Sequence, residues 1–186
     1  MGQIASTIFQ SADKEEQYRK YRNLASEQAK LRNDCFLQSQ DAYKNKQGKK
    51  AKELSLKGKE HGRTMDQYNA KAVEIIFTAN NENRPNDEID LHGLFVKEAL
   101  EKTKQKIEYC EKLNIDHLTI IVGRGNHSQD GIAKLKPAIA ELMEKYQLSC
   151  TQDKPTIGCL YVEFGNAHRK ADLGFLSFFE SKCVIC

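Results

Sequence analysis

The chain has 186 residues, of which 39% are hydrophobic and 30% charged, with a formal net charge of +3. That length fits one compact domain of roughly 100 residues plus an appendage, and so low an apolar share predicts solvated helix outside the core. No apolar run approaches the roughly 18–20 residues that cross a bilayer, which excludes a transmembrane protein. Three prolines and eleven glycines exclude collagen-like and proline-rich classes. Residues 1–16 lack a basic segment followed by an apolar one, so a secretory signal is not expected.

Residues 1–13 carry few charges and no periodicity, and are expected to form a flexible N-terminus. Residues 15–45 contain neither Gly nor Pro. Tyr21, Leu24, Gln28, Leu31, Cys35, Gln38 and Ala42 recur at helical spacing. A break at 45–48 follows, and then Leu54, Gly58, His61, Met65, Tyr68, Ala72 and Ile75 form a second stripe. Two long helices with a short connection predict an antiparallel hairpin over 14–78. Its seam is thin and partly polar. Gly58 and Gly62 each cost about 1 kcal/mol relative to Ala in a helix interior.

Charge is concentrated in this half. Residues 14–63 hold fourteen Lys/Arg against seven acids, a net +7, whereas the remainder is −4. A basic half joined to a mildly acidic one suggests a polyanionic partner for the former; a solvated helix surface is the alternative. Lys49, Lys50 and Lys52, just past the break, are its candidate nucleic-acid contacts.

Residues 79–87 are polar, contain Pro85, and read as a linker. The segment 88–165 alternates strand and helix patterns. Residues 88–91 form a short strand. Val96, Ala99, Leu100, Thr103, Ile107, Cys110 and Leu113 mark a helix. Residues 118–122 form a β-branched central strand stopped by Gly123. Ile132, Leu135, Ile139, Leu142, Met143 and Tyr146 mark a second helix, with Pro137 confined to its first turn. Residues 149–151 and 157–164 are the last strands, and Lys154-Pro155 belongs to the turn between them. The order β-α-β-α-β-β predicts an α+β domain, two layers with a four-stranded mixed sheet and helices on one face, preceded by the helical hairpin. Residues 166–186 form a C-terminal tail that pattern alone does not place.

Six cysteines, Cys35, Cys110, Cys150, Cys159, Cys183 and Cys186, are irregularly spaced, and reduced thiols are expected. Only Cys183 and Cys186 form C-x-x-C, with no second pair or His at zinc-site spacing; no metal site is expected.

The chemistry-bearing residues fall in two stretches. Asp90-Leu91-His92-Gly93 ends the first strand, and alternation puts Asp90 and His92 on the same side. A carboxylate beside an imidazole fixes its tautomer, raises its pKa, or both. The alternative is a strand-end His bonded to backbone, with Asp90 capping the next helix. The second stretch is Gly123-Arg124-Gly125-Asn126-His127-Ser128. Its glycines let backbone N–H groups approach an anion, Arg124 can fork onto phosphate oxygens, and His127 adds an imidazole. Ligands collect at the C-terminal ends of parallel strands, so neighbouring first and second strands would gather both stretches around one cleft.

Residues 88–165 resemble an Smr (small MutS-related) domain. Ile89-Asp90-Leu91-His92-Gly93 matches the family's L-D-L-H-G motif, with Ile89 at its first position. Gly123 to Ser128, followed by Leu135-Lys136-Pro137-Ala138, matches its second. The helical segment resembles the uncharacterised domain that often precedes Smr domains in eukaryotes. One departure is Val122, where many members have Thr or His before the first glycine. The resemblance implies a fold similar to the C-terminal domain of bacterial translation initiation factor three. It also implies endonuclease activity on RNA, some of it ribosome-associated mRNA, or on DNA. Asp90, His92 and Arg124 are the motif residues that carry over, and His127 joins them as a candidate acid/base. Gly123, Gly125, Asn126 and Ser128 are expected to bind phosphate. No cofactor is expected, and the alternative is a non-catalytic nucleic-acid or ribosome-binding adaptor.

The first six residues match an N-myristoylation pattern at Gly2, and Cys183 heads a weaker C-a-a-X match. A cytoplasmic location is expected, with lipid-assisted membrane association or the nucleus as alternatives.

Overall fold

The computed structural model describes residues 2–123 and 133–165. It divides into two units, residues 1–79 and 80–186.

The first unit is a helical hairpin, α1 (Gly2–Lys44) and α2 (Gly48–Asn81). Residues 2–13, within the N-terminus 1–13 expected to be flexible, are helical and open α1, with no Gly or Pro between residues 3 and 44 to interrupt it. The expected linker also loses residues 79–81 to the end of α2. The helices pair antiparallel through a partly polar seam. Ser39 Oγ donates to Ala51 O (2.7 Å), His61 Nδ1 meets Gln28 Oε1 (2.8 Å) and Arg22 donates to Asn69 Oδ1 (2.7 Å). Of the expected stripe on α2, Gly58, His61, Met65 and Tyr68 meet residues of α1 and Ala72 is buried, while at its end Ile76 is buried rather than Ile75. On α1, Leu31 and Gln38 are exposed and Ala25 is buried instead. The reason is that small residues and long polar side chains fill the narrow gap, so apolar spacing misplaces the face.

Gly58 explains part of that gap. A Cβ there would fall 2.7 Å from Cε1 and 2.9 Å from Cδ1 of the Phe36 ring. At Gly62 the nearest such atom would be Arg32 Cδ at 3.5 Å, an ordinary contact. Ala gains about 1 kcal/mol over Gly from helix propensity, but moving a packed ring costs about 1–3 kcal/mol. Gly62→Ala is therefore expected to raise the thermal midpoint read from helical circular dichroism, and Gly58→Ala to lower it. The reverse order would refute the close approach.

The second unit contains β1 (Glu88–Asp90), α3 (Val96–Lys112), β2 (His117–Ile121), α4 (Leu135–Lys145), β3 (Ser149–Gln152) and β4 (Cys159–Glu163). The sheet order is β1-β2-β4-β3. β1 and β2 are parallel, while β4 runs antiparallel to both β2 and β3. Two crossovers and a hairpin give this α+β arrangement, as expected. Pro137 is the third residue of α4, where its missing N–H breaks no helical bond. Ile89, Leu118, Ile120, Leu160 and Val162 are almost fully buried, and the register pairs Leu118 with Val162 and Ile120 with Leu160. Ala99, Ile107 and Cys110 of α3 and Ile139 and Met143 of α4 complete the core.

Cys35, Cys110, Cys150 and Cys159 are free thiols; Cys183 and Cys186 lie outside the described residues. Burial pushes the Cys110 thiol up to about 11. An inert core thiol results, not a nucleophile.

Candidate active site

Strand β1 ends at Asp90, and the chain then turns. Leu94 N–H donates to Leu91 O (3.2 Å) across His92 and Gly93. Gly93 has φ +83°, the left-handed value that the third position of such a turn needs and that glycine adopts without strain. Asp90 stabilises the start of the turn: its Oδ1 accepts the His92 backbone N–H at 3.0 Å. This is the local Asx bond that Asp forms two residues ahead.

The turn closes the distance between the two side chains. Extended alternation would leave them roughly 7 Å apart along a strand, yet Asp90 Oδ1 and His92 Nδ1 are 2.6 Å apart. Asp90 is 3% exposed, whereas the His92 side chain is 53% exposed. A buried carboxylate 2.6 Å from Nδ1 favours the tautomer protonated there, with Nε2 as the basic atom, over the longer 3.3 Å approach of Asn80 Nδ2 to the same nitrogen. Asp90 does not cap α3, whose N-cap is Phe95.

The second stretch begins at the same end of the sheet. Asp90 pairs with Ile121, and Leu91 N–H donates to Ile121 O at 2.8 Å. Gly123, two residues later, has φ +74°, and a Cβ on it would lie 3.5 Å from His92 Cβ. The structure thus brings together Asp90, His92 and Gly123. Arg124, Gly125, Asn126, His127 and Ser128 lie outside the described residues, as does Cys183. Gly2 opens α1. Lys49, Lys50 and Lys52 belong to the first unit and are exposed at the start of α2.

Sequence reading missed three residues by assigning them to a linker. Arg84 donates from Nη2 to Asp90 Oδ2 at 2.6 Å. The Asn81 side chain pairs with the open edge of β1, its Nδ2 donating to Asp90 O and its Oδ1 accepting from Asp90 N–H, both at 2.8 Å. Asn80 Nδ2 donates to His92 O at 3.1 Å. The one signal in the sequence was Arg84 itself, the sole cation of 79–87, six residues before the motif carboxylate.

A second His–Asp pair sits at the other end of β2. His117 Nε2 is 3.1 Å from Asp87 Oδ2, and the ring stacks on Tyr161 at 5.2 Å. It is remote from Gly123 along the strand and does not join the His92 cluster.

Family models match twice. A domain of unknown function, DUF1771, covers residues 18–81, and the Smr domain covers residues 89–164. Smr domain-containing protein C11H11.03c of Schizosaccharomyces pombe is 44% identical over 133 residues, which is 72% of this chain and 65% of that one. Endonuclease NBR9 of Saccharomyces cerevisiae is 40% identical over 158 residues, 85% of this chain and 66% of that one. The chain therefore spans just under two thirds of the length of these curated relatives. The solution structure of the B3BP Smr domain is 37% identical and covers 52% of this chain and 95% of its own, with a TM-score of 0.42. With the two family models matching in tandem, this chain belongs to the Smr-domain family, with a DUF1771 domain ahead of the Smr domain.

Proposed function

We propose that the protein is an RNA endonuclease working by metal-independent acid/base catalysis. The observation that carries this reading is the buried Asp90 carboxylate on Nδ1 of the half-exposed His92, with the first glycine of the second motif against the same side chain. Nε2 of His92 takes the proton of a 2′-OH. The 2′-oxygen bonds to the adjacent phosphorus, and the bond from phosphorus to the 5′-oxygen breaks. The products are a 2′,3′-cyclic phosphate and a 5′-OH, the leaving oxygen being protonated by a second acid, for which His127 is the candidate. Arg124, next in the chain after Gly123, is the candidate that stabilises charge developing on the phosphoryl oxygens. The name of Endonuclease NBR9 supports a nuclease reading.

Purified full-length protein incubated with single-stranded RNA in EDTA tests the mechanism. Continued cleavage with cyclic-phosphate ends is expected. Activity lost in EDTA and restored by Mg²⁺ would replace this scheme with a metal-assisted one.

The hairpin supplies affinity in this proposal. Lys46, Lys49 and Lys50 line one surface hollow with Gln47, Gly48 and Glu53. Replacing Lys49, Lys50 and Lys52 together by Ala is expected to weaken RNA binding. It is also expected to flatten the plot of log affinity against log salt, by about 0.7 for each phosphate that these side chains no longer neutralise. Fluorescence anisotropy over a salt series measures both, and an unchanged slope would remove the turn from the RNA interface.

A further inference from the structure

We infer that Arg84, which lies between the two matched family ranges, is a positioning residue that holds Asp90 in register with the His92 ring. The inference rests on the reading of His92 as the acid/base group. The Asp90 carboxylate divides its two oxygens. Oδ1 takes the backbone N–H of His92 (3.0 Å) and its Nδ1 (2.6 Å), and Oδ2 takes Arg84 Nη2 (2.6 Å). The carboxylate can rotate about its last bond, and so can the imidazole. Donors held on both sides of the carboxylate stop the first rotation, and with it the second.

The guanidinium is itself fixed. Nε donates to Asn80 O at 2.8 Å and Nη1 to Glu88 Oε2 at 3.3 Å. Three directions of the planar fork are therefore used, at 30% side-chain exposure. A flexible surface Arg loses side-chain entropy when held in this way. Its anchors are Asn80 O, in the last turn of α2, and Glu88, the first residue of β1, so the fork runs along the strand and grips the carboxylate at its end. Lys, a point charge on a flexible stem, can supply the contact to Oδ2 but not the planar fork. Neither family model contains Arg84: one ends at residue 81 and the other begins at 89.

The test uses Arg84→Met and Arg84→Lys in the full chain, with two readouts. The first is the ring nitrogen spectrum of His92 by ¹⁵N NMR, which reports the tautomer without any substrate. The parent is expected to show one tautomer, protonated at Nδ1. Arg84→Met is expected to show a mixture, and Arg84→Lys a distribution between the two. The second is RNA cleavage: kcat is expected to fall roughly 10–100-fold in Arg84→Met, with KM within about twofold, and to recover in part in Arg84→Lys. A His92 spectrum in Arg84→Met identical to the parent's would overturn the inference. If Arg84→Met does not fold, Arg84→Lys decides alone, and a parent-like His92 spectrum together with parent-like kcat would overturn it. A parent chain that cuts no RNA would sink the nuclease reading alone, since the tautomer measurement still judges Arg84.

Discussion

RNA cleavage by the His92→Ala variant is expected to fall by about 10²–10⁴-fold, the span that one positioned acid or base supplies. Affinity for the same RNA should stay within about twofold, because in the proposed scheme binding comes from phosphate contacts and the basic turn and not from the ring. Stability is also expected to survive. The side chain is half exposed, so its removal opens no core cavity. Asp90 keeps the His92 backbone N–H and Arg84 as donors, so the loss is that of one hydrogen bond, about 0.5–1.5 kcal/mol. Single-turnover rates and anisotropy on one fluorescent RNA separate the two quantities. Cleavage at the parent rate would remove His92 from the chemistry. Equal loss of binding and cleavage would make it a binding residue. A parent chain that binds without cutting would leave a nucleic-acid adaptor, a role from a different class. A substrate carrying 2′-deoxyribose at the scissile position sharpens the test. It has no internal nucleophile, so the parent should leave it intact.

The core was legible in the sequence because burial imposes period. The stripe on α2 and the apolar spacing of α3 each answer to a buried face within their own unit, and the β-branched run at Leu118–Val122 answers to a central strand buried on both sides. α1 was harder, since a seam of Ala25, Gln28, Ser39 and Ala42 against Gly58 has little hydrophobic signal to read. Of the candidate site, Asp90, His92 and Gly123, which lie together in the structure, were named from residue type and position at strand ends. The clamp from Asn80, Asn81 and Arg84 was not. Its residues are polar and flank a proline, which in composition is indistinguishable from a solvated linker. What gives Asn81 its role is the free edge of β1, whose N–H and C=O at Asp90 have no strand partner, while Arg84 serves the Asp90 carboxylate and Asn80 the His92 carbonyl. An edge exists only once the sheet order β1-β2-β4-β3 is known.

Asp90→Asn is expected to damage both the fold and the reaction, for separable reasons. The wild-type carboxylate accepts on both oxygens: the His92 backbone N–H and ring at Oδ1, the Arg84 guanidinium at Oδ2. Asn has one acceptor and one donor end. With its NH₂ toward Arg84, two donors face each other and a cation loses its counter-charge. With its NH₂ toward His92, the amide meets the backbone N–H, and Nδ1 must become an acceptor. The ring proton then moves to Nε2, and the nitrogen proposed to take the 2′-OH proton can no longer do so. Cleavage is therefore expected to fall by up to about 10⁴-fold, the loss that a wrong tautomer causes in a Ser–His–Asp triad. Breaking a fully buried ion pair costs about 3–5 kcal/mol, but Arg84 is 30% exposed and water takes over part of its solvation, so about 1–3 kcal/mol is expected here. Urea unfolding gives the stability loss, and single-turnover cleavage under conditions where the variant stays folded gives the rate. Lost stability with a parent-like rate would make Asp90 a structural anchor only. A parent-like value for both would contradict the carboxylate geometry on which the proposed chemistry rests.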